Sequence, residues 1–262
     1  PHDLANEKRQ LFGTPPEVPR DHQRLYSVAP QKAATMMLLT DLAERGFIPD
    51  LLTRLGIRGL CRRRLVKEAR REQAGQGELL QHFLDDLRVS PIAEEAQAAN
   101  EQHYEVPPAF FEKVLGKRLK YSCCWWPPGV KTLDAAEEAM LALTAARAAV
   151  TDGMQILDLG CGWGSFSLWA AEHFPHSRVL AVSNSRPQGD YIRRLADARG
   201  LTQVEVTTAD MNDFIPGRSF DRIISVEMFE HLRSWPKFLE RLSGWLKPGG
   251  KLFIHVFSHR RF

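Results

Sequence analysis

The sequence has no apolar run approaching the length of a membrane span, and its first twenty residues are polar and proline-rich, without the apolar core of a signal peptide. It contains only four cysteines in 262 residues, and their spacing suits neither a disulfide framework nor a zinc knuckle. The formal net charge is only +3, which is too small to indicate a nucleic-acid-binding surface. These absences predict a cytoplasmic protein with reduced thiols, no bound metal and no nucleic-acid partner.

The composition that remains is that of a globular protein, with 44% hydrophobic and 26% charged residues. Residues 1–30 are interrupted by prolines and are predicted to form a flexible arm. Residues 31–120 carry apolar side chains at helical spacing and are predicted to form a helical cap region. Its predicted helices are Ala33–Gly46, Pro49–Arg71, Glu78–Val89 and Ala109–Leu115.

Residues 121–262 are predicted to form the core of the protein, beginning with a loop of buried aromatic side chains over residues 121–126 and a helix over Leu133–Val150. From Met154 onwards, short apolar runs alternate with amphipathic segments. This alternation predicts an α/β fold with a doubly wound, Rossmann-like parallel sheet covered by helices. Such sheets bind ligands outside the carboxyl ends of their strands. The predicted strands are Met154–Leu159, Arg178–Val182, Val204–Thr207, Phe220–Val226 and Lys251–Phe257.

A glycine-rich turn, DLGCGWG, follows the first predicted strand and contains Asp158, Gly160, Cys161 and Gly162. Its G-x-G-x-G spacing differs from the G-x-G-x-x-G fingerprint of dinucleotide sites. A dinucleotide places its pyrophosphate at the start of the following helix, and the Asp158 carboxylate would repel it. A cationic ligand would be attracted instead. S-adenosylmethionine carries a sulfonium and an ammonium group, and we predict that it is the cofactor.

Polar side chains also follow the second and third predicted strands, where the adenosine should lie. Asn184 and Gln188 would bind the ribose hydroxyls by amide hydrogen bonds. The Asp210 carboxylate would accept a hydrogen bond from the adenine amino group. The alternative is that these side chains only cap the helices that follow.

An acidic and imidazole cluster ends the fourth predicted strand, at Glu227, Glu230 and His231. If a helical turn begins there, Glu227 shares a face with both other residues. Two carboxylates beside an imidazole would form a general base. The alternative is a helix start with acidic residues in its first turn. His255, in the last predicted strand, either points at the same pocket or is structural.

Six motifs resemble the coclaurine N-methyltransferase-like branch of the cyclopropane fatty acid synthase superfamily, and the likeness extends from about Ala33 to Phe262. The motifs are Asn100–Val106, Lys120–Trp125, Thr132–Met140, the glycine turn, Ser183–Gln188 and Ser225–His231. The resemblance implies a class I S-adenosylmethionine-dependent methyltransferase with an N-terminal helical cap. It also implies two further strands after the fifth, so we expect the core to be incomplete at the C-terminus of this chain.

The resemblance implies individual roles as well. Tyr121 and Ser122 would close over the methionine part of the cofactor, and the backbone from Gly160 to Gly162 would approach it. Met211 would flank the adenine together with Asp210. The cluster Glu227, Glu230 and His231 matches the acid–base cluster of the plant amine methyltransferases. The expected reaction is methyl transfer to the nitrogen of a small-molecule amine.

Two alternatives stay open. The first is methyl transfer to an unsaturated lipid, as in cyclopropane synthases, where Cys123, Glu230 and His255 match positions near a bound bicarbonate. The basic stretch Arg54–Arg71 would then contact an anionic membrane, although a solvated helix face is the favoured interpretation. The second is a cofactor-binding protein without catalysis. The oligomeric state is open, and a homodimer is one option.

Overall fold

The computed structural model describes residues 40–73, 76–93 and 108–258. Contacts divide the chain into two units with a boundary between Ala74 and Gly75. In the described part of the chain, no helix is both long enough and apolar enough to cross a bilayer. The predicted arm, residues 1–30, lies outside the described residues, and the domain boundaries predicted at residues 30 and 120 stay predictions.

The first unit contains helix α1, Asp50–Gln73. It agrees with the helix predicted from Pro49 to Arg71. Asp50 opens the helix, and its carboxylate accepts a hydrogen bond from Arg54 Nε at 2.7 Å. Residues 40–44 are also helical and end before Gly46, which has a φ of +76°; the rest of the first predicted helix lies outside the described residues.

The second unit is built on a five-stranded sheet in the order β3-β2-β1-β4-β5, and all four neighbouring pairs are parallel. This arrangement confirms the predicted doubly wound sheet. The chain moves outward from β1 in one direction to β2 and β3, and in the other direction to β4 and β5. The point where the direction reverses, between β1 and β4, is where such sheets bind ligands. The strands are β1 Gln155–Leu159, β2 Arg178–Ser183, β3 Val204–Thr208, β4 Phe220–Val226 and β5 Leu246–His255.

The helices of this unit begin and end at local signals in the sequence. Thr132 Oγ1 accepts a hydrogen bond from Ala135 N and caps α4. That helix ends three residues before the predicted Val150, because Ala149 adopts a left-handed conformation with a φ of +52°. The helices are α2 Gln76–Val89, α3 Pro108–Val114, α4 Leu133–Arg147, α5 Ser165–His173, α6 Arg186–Ala198 and α7 Trp235–Trp245.

Both faces of the sheet are buried, as expected of a parallel sheet covered by helices. Successive strand residues point to opposite faces, so Ile156 and Leu157 belong to different core clusters. On the Leu157 side the sheet packs against Phe238 of α7. On the Ile156 side it packs against Leu141 of α4. Because the strands are held on both faces, their carboxyl ends form a rigid rim.

Candidate active site

An open cavity lies at the carboxyl ends of β1 and β4, where the strand order reverses. Its walls come from the segment before α4, the glycine turn, the end of β4 and the residues after β5. The residues that line it include Lys120, Tyr121, Ser122, Asp158, Gly160, Cys161, Gly162, Trp163, Val226, Glu227, His231 and Phe257. Eight of the thirteen residues predicted to bind the cofactor or to act in catalysis therefore lie at this cavity.

The glycine turn has left-handed backbone at Gly160, Gly162 and Gly164, with φ values of 73°, 54° and 78°. The amides of Gly160 and Cys161 both donate to Val182 O, at 2.9 and 3.0 Å, and so fix the turn against β2. A Cβ on Gly160 would lie 2.6 Å from Met228 Cγ, whereas one on Gly162 would meet no atom within 4 Å. The backbone at Gly162 is therefore open to close approach by a ligand.

Asp158 ends up beneath this turn, with only 3% of its surface exposed. Its Oδ2 accepts a hydrogen bond from Ser167 Oγ at 2.6 Å. Burial raises the pKa of Asp158 to about 6, and both the Ser167 hydrogen bond and the charge of Lys120 oppose that rise. A buried carboxylate that lines a cavity is suited to binding a cationic group.

Glu137 of α4 fixes the position of residues 116–120, the last two of which line the cavity. Sequence reasoning did not predict this role. The carboxylate is fully buried and accepts hydrogen bonds from three backbone amides: Gly116 at 3.0 Å, Arg118 at 2.8 Å and Lys120 at 3.1 Å. From the sequence, this part of the chain is predicted only as a helix over Leu133–Val150. No local pattern marks a carboxylate that binds backbone some twenty residues earlier.

Sequence reasoning also assigned no role to Lys120, although this residue begins the motif Lys120–Trp125. It is buried, with 4% of its surface exposed, and its Nζ donates to Ser122 Oγ. Burial lowers the pKa of Lys120, while the neighbouring thiols and carboxylates, including those of Glu227 and Glu137, oppose that change. The cavity therefore has a buried basic group as well as a buried acidic one.

The expectation that residues 121–126 bury their aromatic side chains was wrong. Tyr121, Trp125 and Trp126 are 54%, 45% and 54% exposed. The two residues just before them, Leu119 and Lys120, are buried. The Tyr121 ring keeps one side against the Phe111 ring, with centroids 5.3 Å apart in an edge-to-face arrangement, and its other side faces the cavity mouth.

The acidic and imidazole cluster differs from the predicted helical turn. Glu227 has a φ of +52°, and its amide still donates to His255 O at 2.8 Å, so it continues the pairing of β4 with β5. A 3-10 turn begins two residues later, over Phe229–His231. The helical face that Glu227 was expected to share with Glu230 and His231 therefore does not form, because a left-handed residue separates the strand from the turn.

The three side chains of this cluster have different surroundings. Glu227 and His231 line the cavity, and His231 is exposed. Glu230 does not line it; its Oε1 accepts from Phe257 N at 2.9 Å, and its Oε2 is buried without a partner among the described residues. Of this cluster, Glu227 and His231 therefore line the cavity, whereas Glu230 does not.

Cys123, Glu227 and His255 meet beside this cluster, with one donor atom from each within 4.8 Å of the others. Cys123 Sγ lies 3.8 Å from His255 Nε2, and Cys123 N donates to Glu227 Oε1 at 3.3 Å. Burial and the Glu227 carboxylate raise the pKa of Cys123, which favours the thiol over the thiolate. The structure thus brings together Cys123 and His255, which the family resemblance had placed near an anion, with Glu227 as their neighbour.

The residues predicted to bind the ribose and adenine lie at the ends of β2 and β3, outside the lining of the cavity. Gln188 is 2% exposed; its Oε1 accepts from Ser183 Oγ at 2.8 Å, and its Nε2 is buried without a partner among the described residues. A buried donor of this kind fits a ligand hydroxyl. Asn184 is exposed beside it.

Among the described residues at these strand ends, helix capping is seen only at Ser185, a neighbour of the predicted ribose-binding residues. Ser185, rather than Asn184, caps α6 by accepting from Gln188 N at 3.5 Å. Asp210 Oδ1 accepts from Asn212 N at 2.7 Å, so one of its oxygens holds the turn after β3. Met211 is buried in the core next to it. The second Asp210 oxygen remains the one predicted to meet an adenine amino group.

A parallel sheet of this order, with a glycine turn above a buried aspartate, defines a Rossmann-like fold of the kind found in class I methyltransferases. Residues 93–261 match the mycolic acid cyclopropane synthetase family. The chain belongs to that family, which agrees with the resemblance found in the sequence.

Individual relatives agree with this assignment. The chain is 39% identical to an (S)-coclaurine N-methyltransferase of Thalictrum flavum subsp. glaucum over 90% of this chain and 65% of that one. It is 27% identical to a cyclopropane-fatty-acyl-phospholipid synthase of Escherichia coli K12, over 71% of this chain and 49% of that one. The chain thus spans between about half and two thirds of the length of these relatives.

A solved structure of coclaurine N-methyltransferase, bound to N-methylheliamine and S-adenosylhomocysteine, superimposes with a TM-score of 0.75 at 35% identity. The match covers 87% of this chain and 66% of that one. The resemblance to the coclaurine N-methyltransferase-like branch, predicted from the motifs, is thereby confirmed.

The first prediction concerns Glu137. Glu137→Ala leaves three buried backbone amides without an acceptor, so we expect a loss of at least about 3 kcal/mol in the free energy of unfolding. Chemical denaturation measures it. The surface variant Glu240→Ala is the control and should change stability by less than about 0.5 kcal/mol. Equal, small effects of the two substitutions would contradict the role given to Glu137.

The second prediction concerns the pH dependence of stability. Because the pKa of Asp158 is higher in the folded protein than the usual 3.8, the folded state binds the proton more tightly. The stability that this carboxyl contributes is present below pH 4 and is lost as the pH rises through about 6. Relative to the wild type, Asp158→Asn should therefore gain roughly 3 kcal/mol between pH 4 and pH 7.

Denaturation curves of both proteins across that pH range measure the difference. Ser167→Ala removes a hydrogen bond that lowers the pKa of Asp158, so in this variant the loss should extend to higher pH. A difference between wild type and Asp158→Asn that stays constant with pH would contradict the raised pKa.

Proposed function

We propose that this chain is an S-adenosylmethionine-dependent methyltransferase that transfers a methyl group to the nitrogen of a small-molecule amine. The observation that carries the proposal is the buried Asp158 carboxylate beneath an open glycine turn at the sheet switch point. The proposal is supported by the N-methyltransferases among the relatives, including an (S)-coclaurine N-methyltransferase.

The residues present fit this cofactor. Asp158 would hold the ammonium group, the backbone from Gly160 to Gly162 would approach it closely, and Tyr121 and Ser122 would cover its methionine part. On the other side, Gln188 Nε2 offers its unpartnered donor to a ribose hydroxyl beside Asn184, with Asp210 and Met211 near the adenine. When bound, S-adenosylmethionine supplies an electrophilic methyl group on a sulfonium.

The side chains around the cavity would handle the proton of the amine. An aliphatic amine is mostly protonated at neutral pH and has no lone pair for attack until it loses that proton. Glu227 presents a carboxylate that attracts the cationic amine, and His231 is the exposed base at the same wall. Glu230, whose Oε1 accepts from Phe257 N, would position the segment after β5 at the edge of the cavity.

A second candidate function is methyl transfer to an unsaturated lipid. It is favoured by the contact between Cys123 Sγ and His255 Nε2, since both residues match positions near the bicarbonate of the cyclopropane synthases. The amine reaction is preferred because identity to the coclaurine N-methyltransferase, 39%, exceeds that to the phospholipid synthase, 27%.

A methyl-transfer screen tests whether the acceptor is an amine or an unsaturated lipid. The complete gene product is incubated with S-adenosylmethionine labelled in its methyl group and with panels of tertiary and secondary amines, phenols and vesicles of unsaturated phospholipid. We expect label in one or more amines. Label only in lipid would establish the second candidate, and binding of S-adenosylhomocysteine without transfer to any acceptor would indicate a cofactor-binding protein that does not catalyse.

The base at the cavity wall gives a sharper prediction. His231→Ala should lower kcat about a hundredfold or more, since general bases contribute factors of this size, while the Kd for S-adenosylhomocysteine stays within about twofold. Steady-state kinetics and calorimetry measure the two quantities. His176→Ala, an exposed histidine paired with Asp152 far from the cavity, is the matched control and should leave both unchanged. A His231→Ala protein with wild-type turnover would remove His231 from the mechanism.

A further inference from the structure

Three side chains of the kinds that bind metal ions meet at the edge of the cavity, from segments that are distant along the chain. Cys123 lies in the segment before α4, Glu227 follows β4, and His255 ends β5. One donor atom from each residue lies within 4.8 Å of the other two. Cys123 and Glu227 are 104 residues apart in the sequence, so no local ligand spacing marks this group.

The distances within the group fit a four-coordinate zinc ion. In proteins Zn²⁺ lies about 2.3 Å from a cysteine sulfur and about 2.0–2.1 Å from a histidine nitrogen. A tetrahedral ion with these bonds holds the sulfur and the nitrogen roughly 3.5 Å apart. Cys123 Sγ and His255 Nε2 are 3.8 Å apart, and an oxygen of Glu227 lies close enough to become the third protein ligand.

The backbone that carries these ligands is already fixed. Val226 and His255 are partners in the parallel strands β4 and β5, and the Glu227 amide donates to His255 O at 2.8 Å. The Cys123 amide donates to Glu227 Oε1 at 3.3 Å, which joins the third ligand to the other two. Because the site is preorganised, an ion would bind without a large cost in ordering the chain.

The types of ligand select a divalent ion that accepts sulfur. A thiolate, a carboxylate and a neutral imidazole together carry two negative charges, which a divalent ion neutralises. Mg²⁺ and Ca²⁺ prefer oxygen ligands, whereas Zn²⁺ binds sulfur, nitrogen and oxygen. The Lys120 ammonium acts on Cys123 through space and opposes a cation there, while the Glu227 carboxylate favours one.

The surroundings favour an exchangeable ion over a permanent one. Cys123 is exposed, and Glu227 and His255 are half-buried, so an ion can reach the group from solvent. The other ring nitrogen of His255, Nδ1, is buried and has no hydrogen-bond partner among the described residues. A zinc-binding histidine normally donates this N–H to an acceptor, and loss of such support weakens metal binding by about 10- to 100-fold.

We propose that Cys123, Glu227 and His255 form an exchangeable Zn²⁺ site at the wall of the cavity, and that the bound ion inhibits the protein. Binding breaks the S–H bond of Cys123, forms a sulfur–zinc bond and releases one proton to the solvent. The Glu227 carboxylate becomes a zinc ligand and no longer attracts a cationic acceptor. The inhibition rests on the proposed function, whereas the binding of the ion does not.

A cobalt titration of the complete gene product tests the site, because Co²⁺ replaces Zn²⁺ in proteins and absorbs light. We expect one equivalent of Co²⁺ to give the near-ultraviolet absorption band of a cobalt–thiolate bond, and Zn²⁺, but not Mg²⁺, to remove it. Cys123→Ser should abolish the band and weaken Zn²⁺ binding at least about tenfold in calorimetry. Cys124→Ser, at the neighbouring thiol outside the group, is the matched control and should retain both.

Methyl transfer provides a second measurement, in which each protein is compared with its own metal-free rate. Half-inhibition of the wild type and of Cys124→Ser should need a Zn²⁺ concentration at least about tenfold lower than half-inhibition of Cys123→Ser. Equal inhibition of all three proteins would refute the inhibitory role.

The two parts of the inference can fail separately. A wild type that shows no cobalt–thiolate band, or a band that persists in Cys123→Ser, would refute the site and leave the proposed function intact. The wild-type spectrum does not depend on whether a variant folds. Absence of methyl transfer to any acceptor would refute the proposed function and the inhibitory role with it, while the cobalt spectrum would still decide whether the ion binds.

Discussion

The candidate site depends on the hydrogen bonds between the Glu137 carboxylate and three backbone amides. Helix α4 is packed against the sheet through Leu141, so its position follows from the core. Glu137 transfers that position to the segment from Gly116 to Lys120, which has no strand or helix of its own. A Cβ on Gly116 would lie 2.6 Å from Glu137 Oε2, so the close approach requires glycine. Without this connection, Lys120 and Ser122 would have no fixed relation to the glycine turn.

The cavity is lined by one buried acidic residue and one buried basic residue. Asp158 and Lys120 are both nearly inaccessible to solvent, and each is held by a hydroxyl, Ser167 Oγ for the acid and Ser122 Oγ for the base. Their pKa values move towards the neutral forms because burial penalises charge. An acidic and a basic group, both shielded from solvent, therefore line the same cavity.

The sequence predicted what is encoded locally. Alternating apolar runs identified the five strands, and the glycine turn with the preceding Asp158 identified one part of the cavity wall. Prediction from the sequence failed where segments that are distant along the chain meet in the fold. The exposure of Tyr121 depends on where the segment before α4 lies across the end of β4. The contact of Cys123 with His255 depends on the same placement and was anticipated only through the family resemblance. That placement is set by Glu137, and a helical carboxylate that binds distant backbone has no periodic signature.

Glu227 connects the segment before α4 with the wall of the cavity. A left-handed conformation costs a residue with a side chain about 1–2 kcal/mol, and it persists here because the Glu227 amide is tied to His255 O. In this conformation the Glu227 carboxylate accepts a hydrogen bond from Cys123 N, and Glu227 lines the cavity together with His231. A helical start at Glu227 would have stacked the carboxylate on the imidazole. Because of the left-handed residue, Glu227 and His231 reach the cavity from different backbone elements, the end of β4 and the 3-10 turn. The two roles proposed for them, attracting a cationic acceptor and taking its proton, therefore belong to groups that are positioned independently.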